Sequence, residues 1–340
     1  MLNTVYQLKR PRQFEVAFKE MEIDDRQVIV RPTRLSICHA DQRYYQGARA
    51  EEILRQKLPM ALIHEGIGKV IYDPTGTFEI GTEVVMIPNR PVEKDDIIAE
   101  NYLRSSKFCA SSMDGFLQEY VQAVPDRFVR LPQGINPTVA AYTELVSVSF
   151  HAINRFLRFS HERRDVIGVW GDGNLGYITS LLLKKMLPDS KIYIFGVTEN
   201  KLSDFTFADG TYCVNEIPAD MQIDHAFECV GGGAASKAIN QIIDYIHPEG
   251  TISILGVSED PAPINTRMVL EKGLRIFGSS SGRSDYEGLL QLYEEHPEVV
   301  SYLENIMGAE VEVRDVKDIT RAFEMDIHKL MGKTVMIWNE

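Results

Sequence analysis

Cysteine is scarce in this chain of 340 residues: four in all, Cys38, Cys109, Cys213 and Cys229, far apart and with no C-x-x-C pair. That spacing excludes the dense disulfide framework of small secreted domains and suits a reducing compartment, so a cytoplasmic location is expected. Long apolar runs are also missing. No stretch approaches the roughly 18–20 residues that cross a bilayer. The opening M-L-N-T-V-Y-Q-L-K-R lacks the apolar centre of a secretion signal. Basic residues are in deficit, 36 Lys and Arg against 49 Asp and Glu, for a formal charge of −13. Such a surface repels nucleic acid and anionic membrane, and neither is an expected partner. An acidic protein can still hold a phosphorylated metabolite, but only through a local cationic pocket.

What is present is ordinary globular composition, 44% apolar and 25% charged, in a chain long enough that two domains are expected. As far as about residue 148 the pattern is β-rich. Q-V-I-V-R-P, G-K-V-I-Y, G-T-E-V-V-M-I-P and F-L-Q-E-Y-V are short apolar or alternating runs, separated by turn signals such as Asp73-Pro74-Thr75-Gly76, and they favour a barrel or sandwich. The period then changes. Strand patterns near Asp165–Trp170, Ile192–Phe195, residues 224–231, Thr251–Leu255 and Leu274–Gly278 alternate with helical runs near Tyr177–Leu187 and Ala234–Tyr245. Alternation of this kind predicts a doubly wound parallel sheet. After a helical run near Tyr286–Glu295, the chain ends in the apolar strand T-V-M-I-W, which is expected to rejoin the first domain. The predicted division is 1–148 with 286–340, and 149–285.

The turn V-I-G-V-W-G-D-G-N-L-G carries Gly171, Gly173 and Gly176 between a strand and a helix. In that context the glycines allow a tight turn and close backbone approach, and the helix start attracts a pyrophosphate, which points to a nicotinamide dinucleotide held at Gly171, Gly173, Asn174, Leu175 and Gly176. At the end of the next strand an NAD site usually carries an acid for the ribose 2′-hydroxyl. Here I-F-G-V-T-E-N-K places Gly196 and Thr198 there, with Lys201 following. Those residues favour a 2′-phosphate and hence NADP(H), although a one-residue shift brings Glu199 to the acid position.

Upstream lies a dispersed set of donors: Cys38 in S-I-C-H-A-D, His64-Glu65 in L-I-H-E-G and Glu144 in Y-T-E-L. A thiolate, an imidazole and carboxylates suit a catalytic zinc that keeps one position exchangeable. Glu65 is either a ligand that exchanges with water or a group just behind the ligands. Asp41 is expected to orient the site by a hydrogen bond. Taken singly, each residue also fits a core or capping role.

These motifs together resemble the medium-chain alcohol and polyol dehydrogenases across nearly the whole chain. C-H-A-D is similar to that family's C-x-x-D, H-E-G-I-G-K-V to its G-H-E-G-x-G-x-V, D-G-F-L-Q-E-Y-V to its D-G-x-x-A-E-Y-V, and E-L-V-S-V-S-F-H-A to the E-P-L-S-V-x-x-H-A of sorbitol dehydrogenases. The longer stretches Q-K-L-P-M-x-L-I-H-E-G, E-K-D-D-x-I-A-E-N-Y-L and W-G-D-G-N-L-G-Y-I-T resemble the bacterial ribulose-5-phosphate reductases in particular.

The resemblance implies an α/β fold in which a GroES-like β-barrel catalytic domain accompanies a Rossmann domain, with the active site in the cleft between them. It implies NADPH-dependent, zinc-assisted reduction of D-ribulose 5-phosphate to D-ribitol 5-phosphate for teichoic acid or capsule synthesis, with Glu144 at a zinc position. A homodimer or larger homo-oligomer, and association with the cytidylyltransferase that consumes the product, are implied likewise. The sequence departs from the broad family at three points. Ile63 stands where a glycine usually precedes His-Glu, and Ala40 replaces the hydroxyl of the proton relay, which leaves water or Glu65 to carry the proton. The structural-zinc lobe near residues 89–113 holds only Cys109, so one zinc is expected. For the substrate phosphate, Arg43 is the leading cation among Arg31, Arg34, Arg43, Arg49 and Arg55, with Tyr44 as a further contact. The competing readings are an NAD polyol dehydrogenase acting on an unphosphorylated sugar alcohol, a zinc-free reductase of the same superfamily, and a nucleotide-binding protein without catalysis.

Overall fold

The computed structural model describes residues 1–280, 285–329 and 332–338. It divides into two compact units, Met1–Glu144 with Gly282–Glu340, and Leu145–Ser281. The division falls inside the helix Thr143–Phe159, a few residues before the change of pattern in the sequence.

The first unit is built on a seven-stranded sheet. Its path runs Phe128–Arg130, Glu83–Met86, Glu65–Tyr72, Val28–Ser36, Lys333–Trp338, Met307–Val313, with Val121–Ala123 also pairing on Val28–Ser36. The functional consequence lies in the register of its centre. Ser36 stands opposite Glu65 on one side and Val335 on the other. The end of Val28–Ser36 that leads to Cys38 is thereby flanked by Glu65 and by the first residues of the terminal strand. An amino-terminal hairpin, Leu2–Arg10 with Gln13–Glu20, pairs with Met60–Ala61 in a separate three-stranded sheet. Phe14 of that hairpin, Tyr45 and Phe323 meet with ring centroids 4.8–5.7 Å apart. They join the hairpin to the helices His39–Tyr45 and Val316–His328, each contact adding roughly 0.5–1.5 kcal/mol beyond simple burial.

One expected strand is shorter than its pattern. F-L-Q-E-Y-V contributes only its last residue to a strand, Val121–Ala123. The Phe116 and Leu117 N–H groups instead donate to the carbonyls of Ile63 and Leu62, so this stretch lies across the segment that bears His64. Gly115 is required there: a Cβ would stand 2.3 Å from the Ile63 carbonyl oxygen and 2.4 Å from that of Leu62.

The second unit is a six-stranded parallel sheet in the order Gly210–Cys213, Lys191–Gly196, Val166–Trp170, Ile223–Glu228, Ile246–Ile254, Arg275–Gly278, the doubly wound arrangement of dinucleotide-binding folds. Helices Asn174–Met186 and Ala235–Tyr245 connect its strands. Trp170 stacks on Phe195 at 3.9 Å and donates its indole N–H to Gln241, so a large polar-tipped ring is buried with its donor satisfied. The edge strand Gly210–Cys213 lacks a long apolar run, which is why the sequence pattern does not mark it.

His225 is buried in this sheet. Its Nδ1 accepts the Thr251 N–H and its Nε2 faces the Arg163 carbonyl, an arrangement that only the neutral ring satisfies. Burial, with His161 nearby, lowers its pKa to about 4. Because the folded value lies below that of the unfolded chain, the unfolded state binds more protons between about pH 4 and 6.5. Stability is therefore full above this window and falls as pH drops through it, by on the order of 3 kcal/mol at the acid end. His225→Gln is expected to flatten the decline in melting temperature between pH 7 and pH 4.5; an unchanged slope would show that His225 does not control it.

Candidate active site

Cys38 sits at the N-cap of the short helix His39–Tyr45, directly after the central strand. Asp41, in the first turn of that helix, is buried and ties two segments together. Its Oδ2 accepts the Cys38 N–H at 3.1 Å and its Oδ1 accepts the Ile63 N–H at 2.9 Å. The same Oδ1 lies 3.6 Å from His64 Nδ1. Ile63 has φ +71°, the left-handed region in which a β-branched residue is strained by about 1–3 kcal/mol. It is held there by Asp41 on its N–H and by Phe116 on its carbonyl. The turn that normally uses glycine is thus made by isoleucine, and it still delivers His64 and Glu65.

The ligand atoms of Cys38, His64 and Glu65 all lie within 4.8 Å of one another. Among the described residues no other three such donors approach one another so closely. Glu144 is buried beside this group without belonging to it. Burial, opposed by His64 and Lys333 and aided by Glu65 and Asp41, raises its pKa to about 7. Burial likewise raises the Cys38 thiol, reinforced by Glu65 and opposed by His64 and Lys333. At His64 burial opposes the charged ring, but Asp41 and Cys38 outweigh it and raise its pKa. Three buried carboxyls, Asp41, Glu65 and Glu144, face one imidazole and one ammonium. A divalent cation offsets that excess of negative charge, and a sulfur, nitrogen and oxygen donor set is the chemistry zinc accepts. The site fits the metal.

The sequence pattern marks no role for Lys333, Gly115 or Asp172. A lysine at the head of an apolar strand reads as a solvated end, whereas Lys333 is 3% exposed and pairs with Glu65. Arg43 lies on the same helix as Asp41; its pKa is lowered by burial and by Arg49. His39 is lowered by burial and by Arg43, with Lys329 and Arg49 adding to the effect and Asp326 opposing it. Arg43 and Arg49 thus bring positive charge to the neutral His39 ring. Tyr44 is in the buried core with the Arg49 guanidinium 4.6 Å from its ring centroid. Arg31 and Arg55 are exposed and paired with Glu119 and Glu51.

In the second unit Gly171 adopts φ +130°, and a Cβ at Gly176 would stand 1.9 Å from the Gly171 carbonyl oxygen. Nothing lies within 4 Å of the place a Cβ would take at Gly173, which leaves room for a pyrophosphate at the start of the helix Asn174–Met186, where Asn174 and Leu175 form the first turn. Asp172 Oδ2 accepts the N–H groups of Val197 and Thr198 at 2.9 and 2.8 Å. It thereby fixes the strand end that distinguishes the two nicotinamide cofactors. Thr198 precedes the short helix Glu199–Leu202 without making a side-chain cap bond. Lys201 makes no ion pair among the described residues, and Glu199 is exposed.

Residues 24–133 match the alcohol dehydrogenase GroES-like domain and residues 202–295 the zinc-binding dehydrogenase domain. Over 339 residues, 99% of both chains, the protein is 56% identical to the ribulose-5-phosphate reductase of Bacillus spizizenii. The chain belongs to the zinc-type medium-chain dehydrogenases, in their ribulose-5-phosphate reductase branch. Its α/β architecture is that of these dehydrogenases, a GroES-like domain with a Rossmann-type parallel sheet. Ribulose-5-phosphate reductase 1 of Staphylococcus aureus is 54% identical over 99% of both chains. The crystal structure of S. aureus TarJ in complex with NADPH superposes with a TM-score of 0.89, at 49% identity and full coverage of both chains. No helix among the described residues of this dehydrogenase is long and apolar enough to cross a membrane.

Replacing Asp41 by Ala removes the acceptor shared by the Cys38 and Ile63 N–H groups. Zinc affinity, measured by competition with a chromophoric chelator, is expected to fall about 10–100-fold. Undiminished affinity would remove Asp41 from the support of the metal ligands.

Proposed function

We propose that this protein reduces D-ribulose 5-phosphate to D-ribitol 5-phosphate with NADPH and one zinc ion, in the cytoplasm, for teichoic acid or capsule synthesis. The observation that carries the reading is the convergence of Cys38, His64 and Glu65 in a chain so similar to proteins named for that reaction. The NADPH bound by TarJ supports the same cofactor here, as do Thr198 and Lys201 at the strand end. A homodimer or larger homo-oligomer and an association with the cytidylyltransferase that uses the product belong to the same proposal.

Cys38, His64 and Glu65 hold the metal, with Glu144 beside them as the further carboxylate donor, and Asp41 keeps the first two aligned. When bound, zinc supplies a Lewis acid for the C2 carbonyl oxygen of the ketose and NADPH supplies the hydride. Gly171, Gly173 and Gly176, with Asn174 and Leu175, take the pyrophosphate, while Thr198 and Lys201 face the 2′-phosphate. Ala40 has no exchangeable proton, so the proton that completes the alcohol travels through water or Glu65. Arg43 takes the substrate phosphate, and its neighbour Arg49 strengthens the local positive potential. A guanidinium whose charge is disfavoured by burial and by a neighbouring guanidinium, as at Arg43, is stabilised by a dianion placed against it.

Purified protein is expected to oxidise NADPH with D-ribulose 5-phosphate and to lose that activity on removal of zinc by a chelator, with recovery on zinc addition. Equal or better turnover with NADH and an unphosphorylated ketose would favour a polyol dehydrogenase instead, and full activity without metal would overturn the zinc assignment. Arg43→Ala is expected to raise the KM for ribulose 5-phosphate by roughly 10–100-fold, as for loss of a charge-assisted hydrogen bond, with the KM for NADPH little altered. An unchanged substrate KM would place the phosphate elsewhere.

A further inference from the structure

Lys333 is a buried cation to which the proposed reduction assigns no step. It opens the strand Lys333–Trp338, where its backbone N–H is fixed by the Ile306 carbonyl at 2.7 Å. Its ammonium donates to the carbonyl of Ile37, the residue before Cys38, at 2.9 Å, and to Glu65 Oε1 at 2.9 Å. It also stands 2.8 Å from Glu65 Oε2, so both oxygens of a fully buried carboxylate are in contact with one positive charge. Neither partner can turn to water: Glu65 is 0% exposed and Lys333 is 3% exposed.

Such an ion pair has two effects on a metal held by the neighbouring thiol and imidazole. The Glu65 Oε1 lone pair that accepts from the ammonium is not available to the metal at the same time, although Oε2 accepts no hydrogen bond among the described residues. The ammonium, 2.8 Å from Oε2, also repels a divalent cation through a poorly screened interior. We propose that Lys333 is a positioning residue that competes with the metal for the Glu65 carboxylate, so that Glu65 remains an exchangeable donor and a coordination position stays open for substrate. This rests on the reading that Cys38, His64 and Glu65 hold zinc. A lysine serving only to anchor the strand, or to prop Glu65 in place for the metal, predicts the opposite sign: without it the metal is held less firmly.

The sign is testable on the full-length protein with Lys333→Met, which keeps the stem and removes the charge. Zinc and cobalt(II) dissociation constants would be measured by chelator competition, together with the visible spectrum of the cobalt-substituted protein. Lys333→Met is expected to bind both ions at least about tenfold more tightly, as removal of one like charge near a divalent ion requires. Its cobalt absorption per ion should weaken, as coordination by Glu65 becomes permanent and the coordination number rises. kcat should fall while the KM for NADPH is unchanged. Lys333→Arg, which retains the charge, is expected to restore wild-type metal affinity. Lys333→Gln, which keeps a donor for Ile37 but no charge, makes the same test if methionine impairs folding. Metal affinity that is unchanged or weaker in the folded neutral variants overturns the inference while leaving the zinc reading intact. A wild-type protein that takes up cobalt without a thiolate-to-metal charge-transfer band overturns both.

Discussion

Asp41 uses both oxygens to join two stretches of chain that are far apart in sequence, and the site depends on that bridge. One oxygen fixes the N–H of Cys38, the other the N–H of Ile63. A carboxylate that accepts two main-chain donors in a buried setting is costly to replace, because both N–H groups are then orphaned. The same oxygen that holds Ile63 lies 3.6 Å from His64 Nδ1, so one group fixes the peptide geometry and places a negative charge beside the imidazole. The left-handed Ile63 is tolerated because Asp41 and Phe116 restrain it from both sides, which is how strain persists at a functional turn.

Sheet register does the rest of the assembly. Ser36, Glu65 and Val335 lie side by side in three adjacent strands, so the thiol, the imidazole, the carboxylate and the buried ammonium all arise from one end of the sheet. A one-residue slip in the first pairing would send Glu65 to the opposite face, and one in the second would do the same to Lys333. The second unit contributes a separate economy of space: a side chain on Gly176 would strike the Gly171 carbonyl, one on Gly171 is disfavoured by its φ of +130° and by Cys229, while Gly173 is open.

Much of this was legible in the residues. Cys38, His64 and Glu65 stood out because a thiol, an imidazole and an acid at motif spacing have few other joint uses, and the glycine turn had a strand before it and a helix after it. The parallel sheet was readable from its alternating periods, apart from the polar edge strand Gly210–Cys213. What stayed hidden were roles created by long-range contact. Nothing local to G-K-T-V distinguishes a buried Lys333 from a surface one. Gly115 reads as a turn until the carbonyls of Leu62 and Ile63 are seen against it. Phe116–Tyr120 has a strand's alternation, yet part of its hydrogen bonding goes to the ligand-bearing segment. Asp172 looks like a spacer between two glycines, whereas it secures the far end of the next strand.

The pairing of Val28–Ser36 with Lys333–Trp338 also orders events during synthesis. The Arg34–Ser36 end of the early strand emerges with one flank unpaired and must wait for almost the entire remaining polypeptide before its neighbour exists, whereas Val28–Val30 is met earlier by Val121–Ala123. Meanwhile the continuous stretch Leu145–Ser281 can complete its own sheet. Until then, the nascent protein carries an exposed backbone edge of the kind that invites mispairing, and the ammonium that opposes Glu65 arrives only with the last strand.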